Sequence, residues 1–181
     1  LVLISGCQTT DNSYKGSFKG GYKDGFGTLI IKNGPNNGDV YEGNFFIGHA
    51  HGHGKYTWKN GDVYIGNFKK SLRHGKGIMT YNEEGGKYRG LWENDMRTKG
   101  TLFYKNGDKY VGDFKKTTIL KENQKHGEGS YYYLDDNQFK GDVYVGRFKN
   151  GRKDGVGQYI RSNGQTIKGI FKNDNLIKII K

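Results

Sequence analysis

A tyrosine, a glycine and a second ring at alternate positions recur along the whole chain. The copies are Tyr14-Gly16-Phe18, Tyr41-Gly43-Phe45, Tyr64-Gly66-Phe68, Tyr88-Gly90-Trp92, Tyr110-Gly112-Phe114 and Tyr144-Gly146-Phe148, with Ile167-Gly169-Phe171 as a seventh that begins with isoleucine. Their starts are separated by 27, 23, 24, 22, 34 and 23 residues, a period near 23 with insertions near Asn33 to Gly38 and twice between Phe114 and Tyr144. A fixed period of this length is the signature of an array of small supersecondary units.

Each copy continues with Gly-x-Gly followed by large residues at alternate positions. Gly52, Gly54, Tyr56 and Trp58 show it best, and Gly75, Gly77, Met79, Tyr81 and Gly127, Gly129, Tyr131, Tyr133 repeat it. Gly25, Gly27, Leu29, Ile31 and Gly155, Gly157, Tyr159 follow, whereas the fourth copy has Thr98 in place of the first glycine and keeps Gly100. Both signatures have period two, so glycines and rings share one face of a strand, and each copy reads as a β-hairpin. Glycine in a strand costs about 0.5 to 1 kcal/mol relative to alanine. Burying a ring contributes roughly 1.5 to 3 kcal/mol, so the glycines act as flat seats on which rings of neighbouring strands lie. One hairpin alone is marginal in water, and stacked hairpins stabilise one another through shared rings.

Composition agrees. Glycine is high at 31 of 181 residues, but its periodicity argues for structure over disorder. The hydrophobic fraction is only 33%, so 14 Tyr, 10 Phe and 2 Trp must supply most of the core. The single proline, Pro35, leaves sheet permitted throughout. Lys and Arg outnumber Asp and Glu by 30 to 18, a net charge of +12, which favours anionic partners without distinguishing nucleic acid, membrane surface and acidic polysaccharide. One cysteine excludes an internal disulfide framework and any cysteine-rich metal site.

That cysteine stands in LVLISGCQTT. Ile4, Ser5, Gly6 and Cys7 resemble a bacterial lipobox, which implies cleavage before Cys7, a diacylglycerol on its thiol, and residues 1–13 as signal remnant and tether. Gln8 is not aspartate, which resembles an outer-membrane address in preference to an inner-membrane one. Without the lipobox the expected location is the cytoplasm. No other apolar stretch approaches the ~18 to 20 residues that span a bilayer as a helix.

The segments YEGNFFIGHAHGHGKYTWKNGDVY, YIGNFKKSLRHGKGIMTYNEEGGKY and YVGRFKNGRKDGVGQYIRSNG resemble the MORN repeat (membrane occupation and recognition nexus). The resemblance covers residues 14–173 and leaves 174–181 as a C-terminal cap. It implies an all-β fold, an elongated twisted single sheet of stacked antiparallel hairpins with an aromatic-lined concave face. It also implies a non-catalytic scaffold without cofactors, associating with a protein partner, an anionic membrane surface or itself. A regulatory repeat module detached from an enzyme and a carbohydrate- or wall-binding repeat protein are the alternatives. The second is disfavoured because such sites depend on tryptophan and only Trp58 and Trp92 are present.

Candidate chemistry is sparse. His49, His51 and His53 at alternate positions suit a zinc site. Yet His51 shares its repeat position with His74, His126, Asp24 and Asp154, which the repeat assigns to the hairpin turn. The Gly-x-Gly pairs lack the following helix that a phosphate loop needs. DDNQFKGD, Asp135 to Asp142, has its glycine at the seventh position where a calcium loop needs it at the sixth. Cys7 has no histidine nearby in sequence to make it a nucleophile. Tyr56, Trp58, Tyr81, Tyr104, Tyr131 and Tyr133 form a candidate aromatic groove, with a core role as the competing assignment; stacking of single-stranded nucleic acid on it is disfavoured. The residue after the first-strand ring is lysine in five of seven copies, Lys19, Lys69, Lys115, Lys149 and Lys172. With Lys70 and Lys116 these form a candidate basic edge for an anionic surface.

Overall fold

The computed structural model describes residues 12–83, 85–116 and 123–180, and these contain strands and turns but no helix. They fall into two compact units, residues 1–95 and 96–181. The first holds β1 (Ser13–Lys19), β2 (Tyr22–Ile30), β3 (Val40–Phe46), β4 (His49–Thr57), β5 (Val63–Lys69), β6 (Leu72–Thr80) and β7 (Gly86–Glu93). The second holds β8 (Met96–Tyr104), β9 (Lys109–Lys116), β10 (Asn123–Tyr132), β11 (Val143–Lys149), β12 (Arg152–Ile160), β13 (Thr166–Lys172) and β14 (Asn175–Ile179). Within each unit the strands lie in chain order, each antiparallel to the next. The fold is all-β and built of stacked hairpins, and the seventh copy also completes its hairpin, because β14 pairs with β13.

Glycine pairs mark the centre of each hairpin: Gly43 faces Gly54, Gly66 faces Gly77, and Gly146 faces Gly157. A Cβ built on Gly77 would stand 2.5 Å from Cε2 and Cζ of Tyr64, and one on Gly54 2.7 Å from the same atoms of Tyr41. The tyrosine ring therefore lies across its own strand and onto the next. Its hydroxyl then donates to the carbonyl three residues on, Tyr41 to Asn44 at 2.8 Å and Tyr110 to Asp113 at 2.9 Å. That is why the position holds tyrosine and not phenylalanine.

The first glycine of each Gly-x-Gly does something else. The sequence assigns Gly25, Gly52, Gly75, Gly127 and Gly155 to the ring face, but all have positive φ, from 66° at Gly75 to 114° at Gly155. They sit where the ladder slips: Gly66 pairs with Gly77, and the next pair is Phe68 with Arg73. These glycines make a bulge that L-residues adopt with strain. The recurrent Asp24, His51, His74, His126 and Asp154 precede these bulges inside the second strands. The turns lie earlier, at pairs with both φ positive such as Lys70-Ser71, Asn150-Gly151 and Asn173-Asp174, the conformation of tight hairpins.

Rings stack edge to face through each unit. In the first, Phe18, Tyr14, Phe45, Tyr41, Phe68, Tyr64, Trp92 and Tyr88 succeed one another at centroid distances of 5.0 to 5.4 Å. In the second the series is Phe114, Tyr110, Phe148, Tyr144 and Phe171, at 5.0 to 5.2 Å. The members are buried except at the start of the described residues, where Phe18 is 61% exposed. At the other end Leu176 of β14 takes the ring's place over Gly169.

Buried aspartates close the open end of the hairpins. Asp39, just before β3, accepts from the Tyr56 hydroxyl at 2.6 Å and the Lys59 amide at 2.9 Å, both at the far end of β4. Asp142 does the same for Tyr159 and Ser162. Asp108 accepts from the Tyr131 hydroxyl, the Leu134 and Asp135 amides and the Asn106 side chain.

Candidate functional site

The two sheet faces carry different chemistry because side chains alternate. On the face away from the rings, Lys19, Lys69, Lys115, Lys149 and Lys172 are all exposed, and Lys70 is exposed in the turn after β5. In the second unit Lys115, Lys149 and Lys172 stand near the turn ends of β9, β11 and β13, two strand spacings apart, or about 10 Å. Lys172 contacts Asp154 at 3.3 Å, and Lys116 ends β9. Cys7 lies outside the described residues.

Of the candidate groove, Tyr56 is fully buried and committed to Asp39. Trp58, Tyr81, Tyr104, Tyr131 and Tyr133 are half-buried. In the first unit Trp58 stacks on Tyr56 at 4.6 Å; in the second, Tyr104, Tyr131 and Tyr133 lie 4.8 to 5.7 Å from one to the next. His49 approaches the Ser71 hydroxyl at 3.4 Å and His51 stacks on Phe46, while His53 is exposed. Among the described residues no three His, Cys, Asp or Glu side chains converge as metal ligands.

Cations embedded in the ring face were not foreseen. Lys23, Arg73, Arg97, Lys125 and Lys153 occupy one repeat position, two residues before the bulge glycine where that glycine is present, and each stands over rings. Ala50 in the second copy and Leu176 in the seventh are the exceptions. Arg73 lies 4.3 Å from the Trp92 ring centre and is forked onto Asp95, with Nε to Oδ1 at 2.9 Å. The recurrence of KDG, RHG, KHG and KDG carries the signal, in the cation that precedes each Asp or His.

Lys125 is the most enclosed of these. Its ammonium pKa is lowered from 10.5 to about 8, chiefly by burial, with Lys153 adding to the shift and Asp174 and Asp108 opposing it. The rings of Tyr104, Tyr110, Tyr131 and Phe148 face it. Below pH 8 the lysine is charged in both folded and unfolded protein, and the penalty for burying the charge is present in full. Between about 8 and 10.5 the unfolded chain binds more protons, so stability rises with pH. Lys125→Met is expected to stabilise the second unit at pH 7 by about 1 to 3 kcal/mol after the lost cation–π contacts. That difference shrinks as pH approaches 10.5. Urea titrations of both proteins at pH 7 and 10.5 check it; a difference independent of pH contradicts the assignment.

Beside Lys153 is a cavity of about 390 Å³ walled by Tyr133, Phe139, Tyr159, Phe171 and Leu176, with Asp174 also at its wall. Phe139 comes from the Asp135-to-Asp142 insertion, which thereby contributes to the ring face. Lys153 Nζ bonds the Tyr133 hydroxyl at 3.2 Å. This arrangement suits noncovalent binding of a partly apolar, partly anionic ligand.

A family model for the MORN repeat matches residues 14–35, 41–63, 64–83, 120–138 and 144–166. The fourth copy, with Thr98 at the bulge position, falls outside these segments. Among solved structures the chain is similar to the SAS-4 (dCPAP) TCP domain of Drosophila melanogaster, solved in complex with a proline-rich motif of Ana2 (dSTIL). The identity is 13% and the TM-score 0.47, over 81% of this chain and 73% of that one. No curated protein matches the chain.

Proposed function

The chain belongs to the MORN-repeat family, and on that premise we propose that it is a non-catalytic scaffold whose ring face takes a protein partner while its N-terminal segment is lipid-anchored in a bacterial envelope. The observation that carries the first half is the periodic placement of cations among half-buried rings on one face of each unit. Aromatic and Arg-rich patches of this kind dominate the energetics of protein recognition. A carbohydrate platform is less well supported, since Trp92 is buried and Trp58 alone is left to stack on a sugar.

Photo-crosslinking in the native host tests this half. With benzoylphenylalanine at Tyr133 we expect a discrete protein adduct, identified by mass spectrometry and missing when the probe replaces Val145 on the opposite face. Equal labelling from both faces, or adducts only with glycan, would remove the reading.

The second half draws on Ile4 to Cys7 and on the outward lysines. A lipoprotein anchor holds a protein stably because more than one acyl chain is buried. Lysines near an anionic surface add at most about 1 kcal/mol each. The intact mass of protein made with its full native leader should carry the diacylglycerol, and binding to anionic vesicles should fall when Lys115 and Lys149 become glutamine. A lipid-free mass counts against the anchor, and unchanged vesicle binding against the basic edge.

A further inference from the structure

Two ammonium groups of the second unit stand among rings with no carboxylate of the described residues in ion-pair contact. Lys125 Nζ lies 4.6 Å from the Tyr131 ring centre and 5.5 Å from that of Phe148. Lys153 Nζ lies 5.4 Å from both Tyr144 and Tyr159. Among the described residues neither forms an ion pair. The nearby carboxylates attract the ammonium groups from a distance while accepting hydrogen bonds from other groups: Asp108 from Tyr131, Leu134 and Asp135, and Asp174 from the Lys153 amide at 2.9 Å. Rings offset only part of the penalty for taking an ammonium out of water, and an incoming anion removes more of it.

Spacing suits one extended form of that anion. β10 and β12 flank β11, so Lys125 and Lys153 stem from backbones about 9.6 Å apart. A polyproline II helix has three residues per turn and rises ~3.1 Å per residue. Its side chains at i and i+3 therefore point the same way, about 9.3 Å apart. A β-strand would send i and i+3 to opposite sides, and an α-helix would bring them within about 5 Å along its axis. The cavity beside Lys153, walled in part by Phe139, Phe171 and Leu176, has room for an apolar side chain next to the carboxylates.

We propose that the ring face of the second unit binds an acidic protein segment in the polyproline II conformation. Two carboxylates three residues apart sit on Lys125 and Lys153, and a neighbouring apolar side chain enters the cavity. The inference rests on the reading that this face takes a protein partner, and it names that partner's chemistry.

Fluorescence anisotropy on the full chain tests it with a labelled peptide Pro-Glu-Pro-Leu-Glu-Pro, whose prolines hold the conformation. Three comparison peptides have the two glutamates adjacent, glutamine in their place, or alanine for leucine. The parent peptide should bind at least tenfold tighter than any of them. Lys125→Gln and Lys153→Gln should each weaken it at least tenfold, with melting curves showing both proteins folded. Lys115→Gln with Lys149→Gln removes twice the charge of either single variant, from the opposite face, and should change affinity less than twofold. Indifference to glutamate spacing, or an equal loss from the opposite-face variant, overturns the proposal. So does oligothymidylate displacing the peptide and binding more tightly, which would assign the site to nucleic acid. Should the peptide fail to bind while the Tyr133 probe still captures a protein, the inference falls and the broader reading stands. If the probe captures nothing, both fall.

Discussion

A Gly77→Val protein is expected to lose about 2 to 3 kcal/mol of stability in its first unit. The new side chain would stand where the Tyr64 ring lies, with Cβ 2.5 Å from two ring carbons. The ring has nowhere to go: Tyr64 is buried, bonded to the Asn67 carbonyl at 3.0 Å and enclosed by Phe68 and Trp92. Either the ring leaves, forfeiting roughly 1.5 to 3 kcal/mol of burial, or β5 and β6 separate, with an overpacking penalty of about 1 to 3 kcal/mol. Gly75→Val, two residues away, makes a useful contrast. There φ is +66° and the nearest atom to a new Cβ is Asn67 Nδ2 at 3.3 Å, so the loss is backbone strain of about 1 to 2 kcal/mol. Urea denaturation of both variants separates the two mechanisms; an unchanged midpoint for Gly77→Val would mean that the glycine seats nothing.

Asp108→Ala is expected to cost about 3 kcal/mol or more in the second unit. It orphans the Tyr131 hydroxyl and the Leu134 and Asp135 amides together, and buried donors left without a charged acceptor cost about 1 to 3 kcal/mol each before relaxation or water. Burial pushes the Asp108 carboxyl pKa up, but hydrogen bonds from Tyr131, Asp135, Leu134 and Asn106 outweigh it and hold the value below the ordinary 3.8. The unfolded chain therefore takes up protons first on acidification. The stabilisation is complete above the ordinary carboxylate range and is lost as pH falls through the lower folded value. Denaturation of the parent and Asp108→Ala proteins at pH 7 and pH 2.5 should show the gap narrowing in acid. A gap that stays constant would show that the bonds do not depend on the carboxylate's charge.

How much of this was legible depended on whether a signal was local. Tyr64, Gly66 and Phe68 alternate within one strand, so their shared face could be read from the sequence directly. Gly75 continues the same alternation on paper but not in space. Nothing in a period-two pattern reveals that the ladder slips between Gly66 and Phe68. The aspartate clasp was equally visible as text, in Gly-Asp-Val-Tyr at Asp39, Asp62 and Asp142 and Gly-Asp-Lys-Tyr at Asp108. Its meaning was hidden because, Asn106 apart, the partners of Asp39, Asp108 and Asp142 named above lie 17 to 27 residues away. For the site, the rings were identified but the cations between them were not. A lysine such as Lys125 looks like surface charge until the hairpin stacking encloses it among Tyr104, Tyr131 and Phe148. Phe139 could not be placed at all, since it comes from an insertion outside the repeat.

Strand order that follows chain order has a kinetic meaning. Within each unit a strand such as β3 pairs only with β2 and β4, so the chain never has to close a long loop before a contact forms. All-β sandwiches fold slowly because their partners are remote in sequence, whereas here the entropy lost before each gain is that of one hairpin or one short link. Folding of either unit can thus start at whichever hairpin closes first and advance strand by strand, each new one docking on a template already formed.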